Sequence, residues 1–227
     1  MGQFDERVVL ISGVTGGLGG AVARAFLEAG ATVAGVSRTL YSKARFLSVA
    51  ADVATSSGAQ AAVARVLEST GRIDVLLHLV GGFAGGQPVW ETRDDTWQRM
   101  LDLNLNAAFY MARAVLPHMV AAGRGRIVAV GSRTGVEPAA NFGAYGVSKA
   151  ALTALIRTIA AEVRQTAVTA NVLLPSVIDT DANRAASPTA DFSRWVKPES
   201  IAALLLWLAS DTAADVNGAA IPIYGRA

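Results

Sequence analysis

Tyr145 and Lys149 stand four residues apart in "NFGAYGVSKAALTAL", at the start of a helical pattern, so the two side chains fall on one helix face. A phenol ionises near pH ~10, and a neighbouring ammonium stabilises the phenolate, which makes such a tyrosine a usable acid or base near neutrality. Alone, a Tyr-Lys pair at this spacing is usually an exposed helix face. Here it has company: Ser132 ends the apolar run "RIVAVG" thirteen residues upstream, and the C-terminal ends of strands are where open α/β sheets build their sites. A hydroxyl there can donate to an oxygen on which charge develops.

A second constellation lies near the start. The run "RVVLIS" leads into "SGVTGGLGGAVARAFLEAG", where Gly13, Gly17 and Gly19 sit at a strand-to-helix turn. Such glycines let a backbone approach a pyrophosphate at a helix N-terminus. No Gly-Lys-Ser/Thr follows, so kinase or NTPase chemistry is disfavoured. At the end of the next strand, where an acid favours NAD and an arginine favours the 2′-phosphate of NADP, stand Ser37 and Arg38, with Lys43 and Arg45 near enough in sequence to assist. The expected cofactor is NADP(H), with NAD(H) possible.

The elements that must carry these residues alternate regularly. Strands are expected at 7–12, 32–37, 45–50, 74–79, 126–131, 168–174 and 219–224, and helices at 17–29, 56–70, 94–121, 143–164 and 198–209. Short β-branched runs between Ala-rich helical stretches predict an α/β fold: one doubly wound domain over 1–227, its seven-stranded, mostly parallel sheet covered by helices on both faces. Only "TDANRAASPTADFSRWV", about 180–196, breaks the rhythm, and it reads as a substrate lid.

Composition narrows the classes. With 52% hydrophobic residues, 20 basic against 18 acidic and no basic stripe, a nucleic-acid partner is not expected. No cysteine is present, and neither histidine has a partner at ligand spacing, so no metal is expected. The most apolar window, "IAALLLWLA", is about half the ~20 residues of a membrane helix, and the acidic start is unlike a signal peptide, so a cytoplasmic location without membrane contact is expected.

Together these residues resemble the short-chain dehydrogenase/reductase family, in the right order over nearly the whole chain. The resemblance implies a Rossmann-type NAD(P)-binding oxidoreductase acting on a small carbonyl or hydroxyl substrate, assembled as a homodimer or homotetramer. It makes "SGVTGGLG" the cofactor glycine motif, adding Thr15 and Leu18 to its glycines, and Asp52-Val53 the adenine-contacting pair. Asn104 in "DLNLNAAF", Ser132, Tyr145 and Lys149 match the catalytic tetrad. Tyr145 then exchanges the proton and, like Lys149, contacts the cofactor; Lys149 tunes the phenol and binds the nicotinamide ribose, Ser132 holds the substrate oxygen, and Asn104 holds a water behind Lys149. Val80 and Gly81 adjoin the adenosine half. "NVLLPSVIDTD" is similar to the segment that grips the carboxamide, implying Pro175, Ile178 and Thr180 as contacts.

The chain departs from the family at particular places. Ser12 replaces the usual Thr, Ser176 the usual Gly after Pro175, and His78-Leu79 the asparagine pair after the fourth strand. "GGFAGG" and the lid are similar to dihydropteridine reductases and their bacterial relatives, although those lack the tetrad serine and prefer an acid after strand two. These features leave three readings: an NADP(H)-dependent reductase of a ketone or 3-oxoacyl group, a quinonoid dihydropteridine reductase, and a non-catalytic NAD(P)-binding sensor. Phe83, Phe142, Phe192 and Trp195 either line the substrate pocket or anchor loops. His78, within an apolar strand, is not expected to be a general base, and His118 reads as a surface residue of a helix's last turn.

Overall fold

A computed structural model of the chain describes residues 2–41 and 44–226. Seven strands, β1 (Val8–Ser12), β2 (Thr32–Ser37), β3 (Leu47–Ala50), β4 (Val75–His78), β5 (Gly125–Val130), β6 (Val168–Pro175) and β7 (Ala220–Ile223), form one parallel sheet in the order β3-β2-β1-β4-β5-β6-β7. The order reverses between β1 and β4, which leaves a crevice beyond their C-terminal ends. Every expected strand is present, with bounds within two residues of expectation.

Helices cover both faces because every central strand is apolar on both. Alternate residues Leu10, Leu76, Ile127 and Ala129 pack under α2 (Ser56–Thr70), α4 (Ala107–Ala121) and α5 (Gly143–Glu162). Their neighbours Val9, Ile11, Leu77 and Val128 pack under α1 (Gly19–Glu28) and α7 (Pro198–Ala209). Among the described residues, no helix is long and apolar enough to cross a membrane.

Two segments differ from expectation. The helix over 94–121 keeps its outer bounds but is not uniform: α3 (Asp94–Leu101) passes through a π turn, Asp102–Asn106, into α4. A π turn inserts a residue into the α ladder, and this one contains Asn104. The segment over 180–196 is not wholly irregular, since it forms α6 (Asp181–Ala186) and a 3₁₀ turn, Phe192–Arg194. Both ends of it are tied to Asp179, which accepts hydrogen bonds from Arg184 and Lys197.

Candidate active site

The glycine turn is built by close approach. Gly13 has φ +84°, and a Cβ there would lie 2.9 Å from the Val80 nitrogen, so the turn presses against the end of β4. A Cβ on Gly19 would stand 2.2 Å from the Val14 carbonyl oxygen, and one on Gly17 would strike the Thr180 side chain at 2.8 Å. Leu18, the N-cap of α1, is buried, and no side chain caps that helix. Its first amides are thereby left to an anion, while Thr15, Gly16 and Gly17 are exposed around them.

Most of the remaining cofactor candidates lie at the C-terminal ends of their strands. Ser37 ends β2, but its hydroxyl is committed to the Thr39 carbonyl at 2.7 Å, leaving exposed Arg38 as the polar group on offer. Arg45 is exposed ahead of β3, and Lys43 lies outside the described residues. Val53 is buried beside exposed Asp52, whose side chain accepts from the Ala54 amide. Pro175 ends β6, and Ser176, in place of glycine, donates its hydroxyl to the Tyr224 carbonyl and so ties that end to the chain after β7. Ile178 pairs with Val196, and Thr180 caps α6, accepting from the Asn183 amide. These features fit a dinucleotide: an open glycine cradle, an uncapped helix start and a carboxamide-side loop resting on Gly17.

The other four candidates converge at the crevice's far side. Tyr145 and Lys149 share the first turns of α5, and Ser132 caps the 3₁₀ turn Arg133–Gly135 after β5. A Cβ on Gly135 would meet the Lys149 backbone at 2.8 Å, so that turn packs directly on α5. Burial raises the pKa of the Tyr145 phenol, and the Ser132 hydroxyl lowers it again in part. Lys149 is buried and donates to the Val130 carbonyl at 2.9 Å; burial lowers its pKa to about 8. The Lys149 charge is not among the influences on the phenol, so the electrostatic activation expected between them is not visible in this geometry.

Asn104 is held more tightly than the sequence suggests. Its Oδ1 accepts from the Gly82 amide at 2.9 Å, and its Nδ2 donates to the Gly82 carbonyl and to Ser148 Oγ, each at 3.0 Å. Ser148 in turn donates to the Tyr145 carbonyl. A Cβ on Gly81 would fall 2.8 Å from Asn104 Oδ1 and 3.1 Å from Lys149 Nζ. Glycine at 81 is what lets β4, the π turn and α5 meet. Ser148 is not singled out by any motif in the sequence, and its one signal is its place directly before Lys149 on the buried side of α5.

The glycine stretch after β4 forms a wall over the tyrosine. Gly86 N–H donates to the Asn141 carbonyl, and Phe83 stacks edge-on to Tyr145 at 5.0 Å and against Phe142 at 5.5 Å. Phe83 remains 64% exposed, so it has surface to offer a substrate. Phe192 and Trp195 form a separate pair at 4.8 Å, and Trp195 is buried, which makes it an anchor of the lid. His118 is exposed in the last turn of α4. Among the described residues no group of three His, Cys, Asp or Glu side chains could hold a metal ion.

His78 was not expected in this network. It is 2% exposed, its Nδ1 lies 2.9 Å from Ser12 Oγ, and burial, with the Lys149 charge adding, lowers its pKa to about 3. An unfolded chain takes up that proton near pH ~6.5, before the folded one does, so stability falls as pH drops from about 6.5 towards 3. The expected loss reaches on the order of 4 kcal/mol. Urea unfolding midpoints at stepped pH check it, and His78→Asn should flatten the fall.

The chain matches the family model described as short chain dehydrogenase over residues 7–191. It is 31% identical to the meso-2,3-butanediol dehydrogenase of Serratia marcescens, over 99% of this chain and 96% of that one. It is 33% identical to the cyclic-di-GMP-binding biofilm dispersal mediator protein of Escherichia coli, over 99% and 98% of the two chains. Among solved structures, a short-chain type dehydrogenase/reductase from Mycobacterium ulcerans superposes with a TM-score of 0.92 at 28% identity, covering 98% of this chain and 90% of that one.

Proposed function

The chain belongs to the short-chain dehydrogenase family, and from that membership we propose that it is an NADP(H)-dependent oxidoreductase interconverting a ketone or 3-oxoacyl group and its alcohol. The family's chemistry on the CH–OH/C=O pair, with a nicotinamide nucleotide, is common ground; the NADP preference, the substrate class and the residue roles are the proposal. One observation carries it: Asn104 and Lys149 meet at Gly81, Ser148 joins Asn104 to the Tyr145 carbonyl, and the Ser132 hydroxyl acts on the Tyr145 phenol.

The bound nicotinamide supplies the hydride. This chain's part is to orient and to move a proton. Gly13, Gly17 and Gly19, with Thr15 and Leu18 between them, present backbone to the pyrophosphate, and Asp52, Val53, Val80 and Gly81 border the adenosine half. Pro175, Ile178 and Thr180 face the carboxamide, with the segment at about 180–196 closing over it as a lid. The Tyr145 O–H gives its proton to the substrate oxygen, and Ser132 donates to that same oxygen as charge develops. Lys149 holds the nicotinamide ribose, and Asn104 retains a water behind it. The apolar Phe83 and Phe142 faces favour a flat or acyl substrate.

Arg38 supports the NADP preference, because it is exposed at the end of β2 with no acid beside it in sequence. Arg38→Ala is expected to weaken NADPH binding about 10- to 100-fold, the cost of one or two charge-assisted hydrogen bonds, and to leave NADH binding nearly unchanged. Titration of cofactor fluorescence reads both. The remaining features of the reading are a single cytoplasmic domain and a homodimer or homotetramer. Exposed Phe109 and Val120 on α4 and Val147 on α5 support the assembly.

The test is a panel of ketones and 3-oxoacyl thioesters with NADPH and NADH, with quinonoid dihydropterin as a further arm. Turnover of carbonyls with NADPH is the expected result. Pterin reduction with NADH instead would favour the reading that rests on the lid and "GGFAGG". A ligand-binding role without turnover is the remaining reading, favoured by the resemblance to a relative described as binding cyclic-di-GMP. Cofactor binding with no turnover of any substrate would decide for it.

A further inference from the structure

We propose that His78 is a positioning residue for Lys149: its Nδ1–H donates to Ser12 Oγ, and its Nε2 lone pair faces the lysine ammonium, keeping that group cationic in a buried site. The inference rests on the proposed role of Lys149 and deepens it.

The placement comes from strand register. His78 pairs with Ser12 of β1 and with Ala129 of β5, and all three side chains point to the face covered by α4 and α5, since Leu10, Leu76 and Ile127 do. Nδ1 is turned to β1 by Ser12, so Nε2 is directed to the helix layer. That nitrogen has no partner, and it is one of two such buried side-chain atoms among the described residues. A buried polar atom without a partner costs on the order of 1–3 kcal/mol.

Lys149 shows the complementary need. An ammonium has three N–H donors, and the Val130 carbonyl is its one hydrogen-bond acceptor among the described groups. One bound water between Nε2 and Nζ would satisfy both. The tautomer is then set by charge. Beside a buried cation, a lone pair at Nε2 is favoured and an N–H there is repelled, which puts the ring proton on Nδ1.

The groups around the ring leave Lys149 as the charged one. On α5 stand Lys149, whose charge acts on the imidazole, and Tyr145, a phenol held neutral; β1 presents Ser12, β5 Ala129 and the π turn Asn104, none of which titrates. The arrangement also accounts for two departures from the family pattern at once. Ser12 and His78 are register partners, so a side chain without the threonine methyl on β1 and a larger ring on β4 fill one space.

Two measurements test this on the intact protein. In ¹⁵N-histidine NMR the chain has two signals to separate, His78 and His118, and a His118→Gln variant assigns them. The expected result is a neutral His78 with its proton on Nδ1 across pH 5–9, and a weakened tautomer preference in Lys149→Met. A proton on Nε2 in the wild-type protein overturns the proposal, and this readout needs no turnover. In kinetics, His78→Leu should move the basic limb of the kcat/KM profile about one unit towards acid by removing the acceptor, while His78→Asn should bring it back. A limb that stays in place in a folded His78→Leu protein also overturns it. Failure of the carbonyl reading would remove the kinetic arm and leave the NMR result standing.

Discussion

Tyr145→Phe is expected to lower kcat for carbonyl reduction by about 10²- to 10⁴-fold, the usual yield of a positioned general acid, while NADPH binding and thermal stability stay near wild type. The asymmetry comes from the surroundings of the ring. Its face packs edge-on against Phe83, and Phe142 lies beyond. These contacts survive in phenylalanine. What disappears is the hydroxyl, on which Ser132 acts. Ser148 donates to the residue's carbonyl, so Asn104 keeps its support through the backbone. Steady-state kinetics with a fluorescence titration of NADPH separates the two effects. Full activity in this variant would remove Tyr145 from the proton path and leave Ser132 as the group to examine.

Gly19→Ala is expected to damage fold and cofactor site together. The added methyl would sit 2.2 Å from the Val14 carbonyl oxygen and 2.4 Å from its carbon. Backbone cannot rotate aside as a flexible side chain would, so the turn between β1 and α1 must open. Strain of this kind costs roughly 2–4 kcal/mol, which for a chain of this length lowers Tm by roughly 5–15 °C. The shifted turn no longer presents its amides to the pyrophosphate, so NADPH affinity should fall by at least about tenfold. Thermal melts with and without NADPH check both, the cofactor raising Tm less in the variant. A Gly20→Ala control should be nearly silent, since a Cβ there meets nothing within 4 Å.

Much of this was legible in the sequence because it depends on local pattern. Runs such as "RIVAVG" and "VTANVLL" declare buried parallel strands, and the glycine turn, Ser132 and the Tyr145/Lys149 pair are recognisable from type and spacing. What stayed hidden depends on which strands become neighbours. Ser12 and His78 are 66 residues apart and touch only because the sheet order places β1 beside β4. Likewise the π turn leaves the helical periodicity of 94–121 almost undisturbed in one dimension, since Met100, Asn104, Ala107 and Met111 are all buried along it. In the lid, polar composition concealed a six-residue helix and a buried tryptophan, because a single large anchor carries little weight in a windowed pattern.

The π turn at Asp102–Asn106 has a consequence for insertions and deletions. Such a turn holds one residue more than the α turn it replaces, so the segment from Asp94 to Ala121 carries a surplus of one. Deleting Leu105 would let the hydrogen-bond ladder heal into an uninterrupted α-helix, improving local regularity. The wide turn absorbs the extra residue, so α3 and α4 would keep their orientation and the change would fall on the turn itself, where Asn104 would be re-aimed away from Gly82 and Ser148. Smooth helical winding and a correctly aimed Asn104 are therefore mutually exclusive in this chain. Length in that helix is a parameter of the active site, although α4 runs on for fifteen residues beyond the π turn.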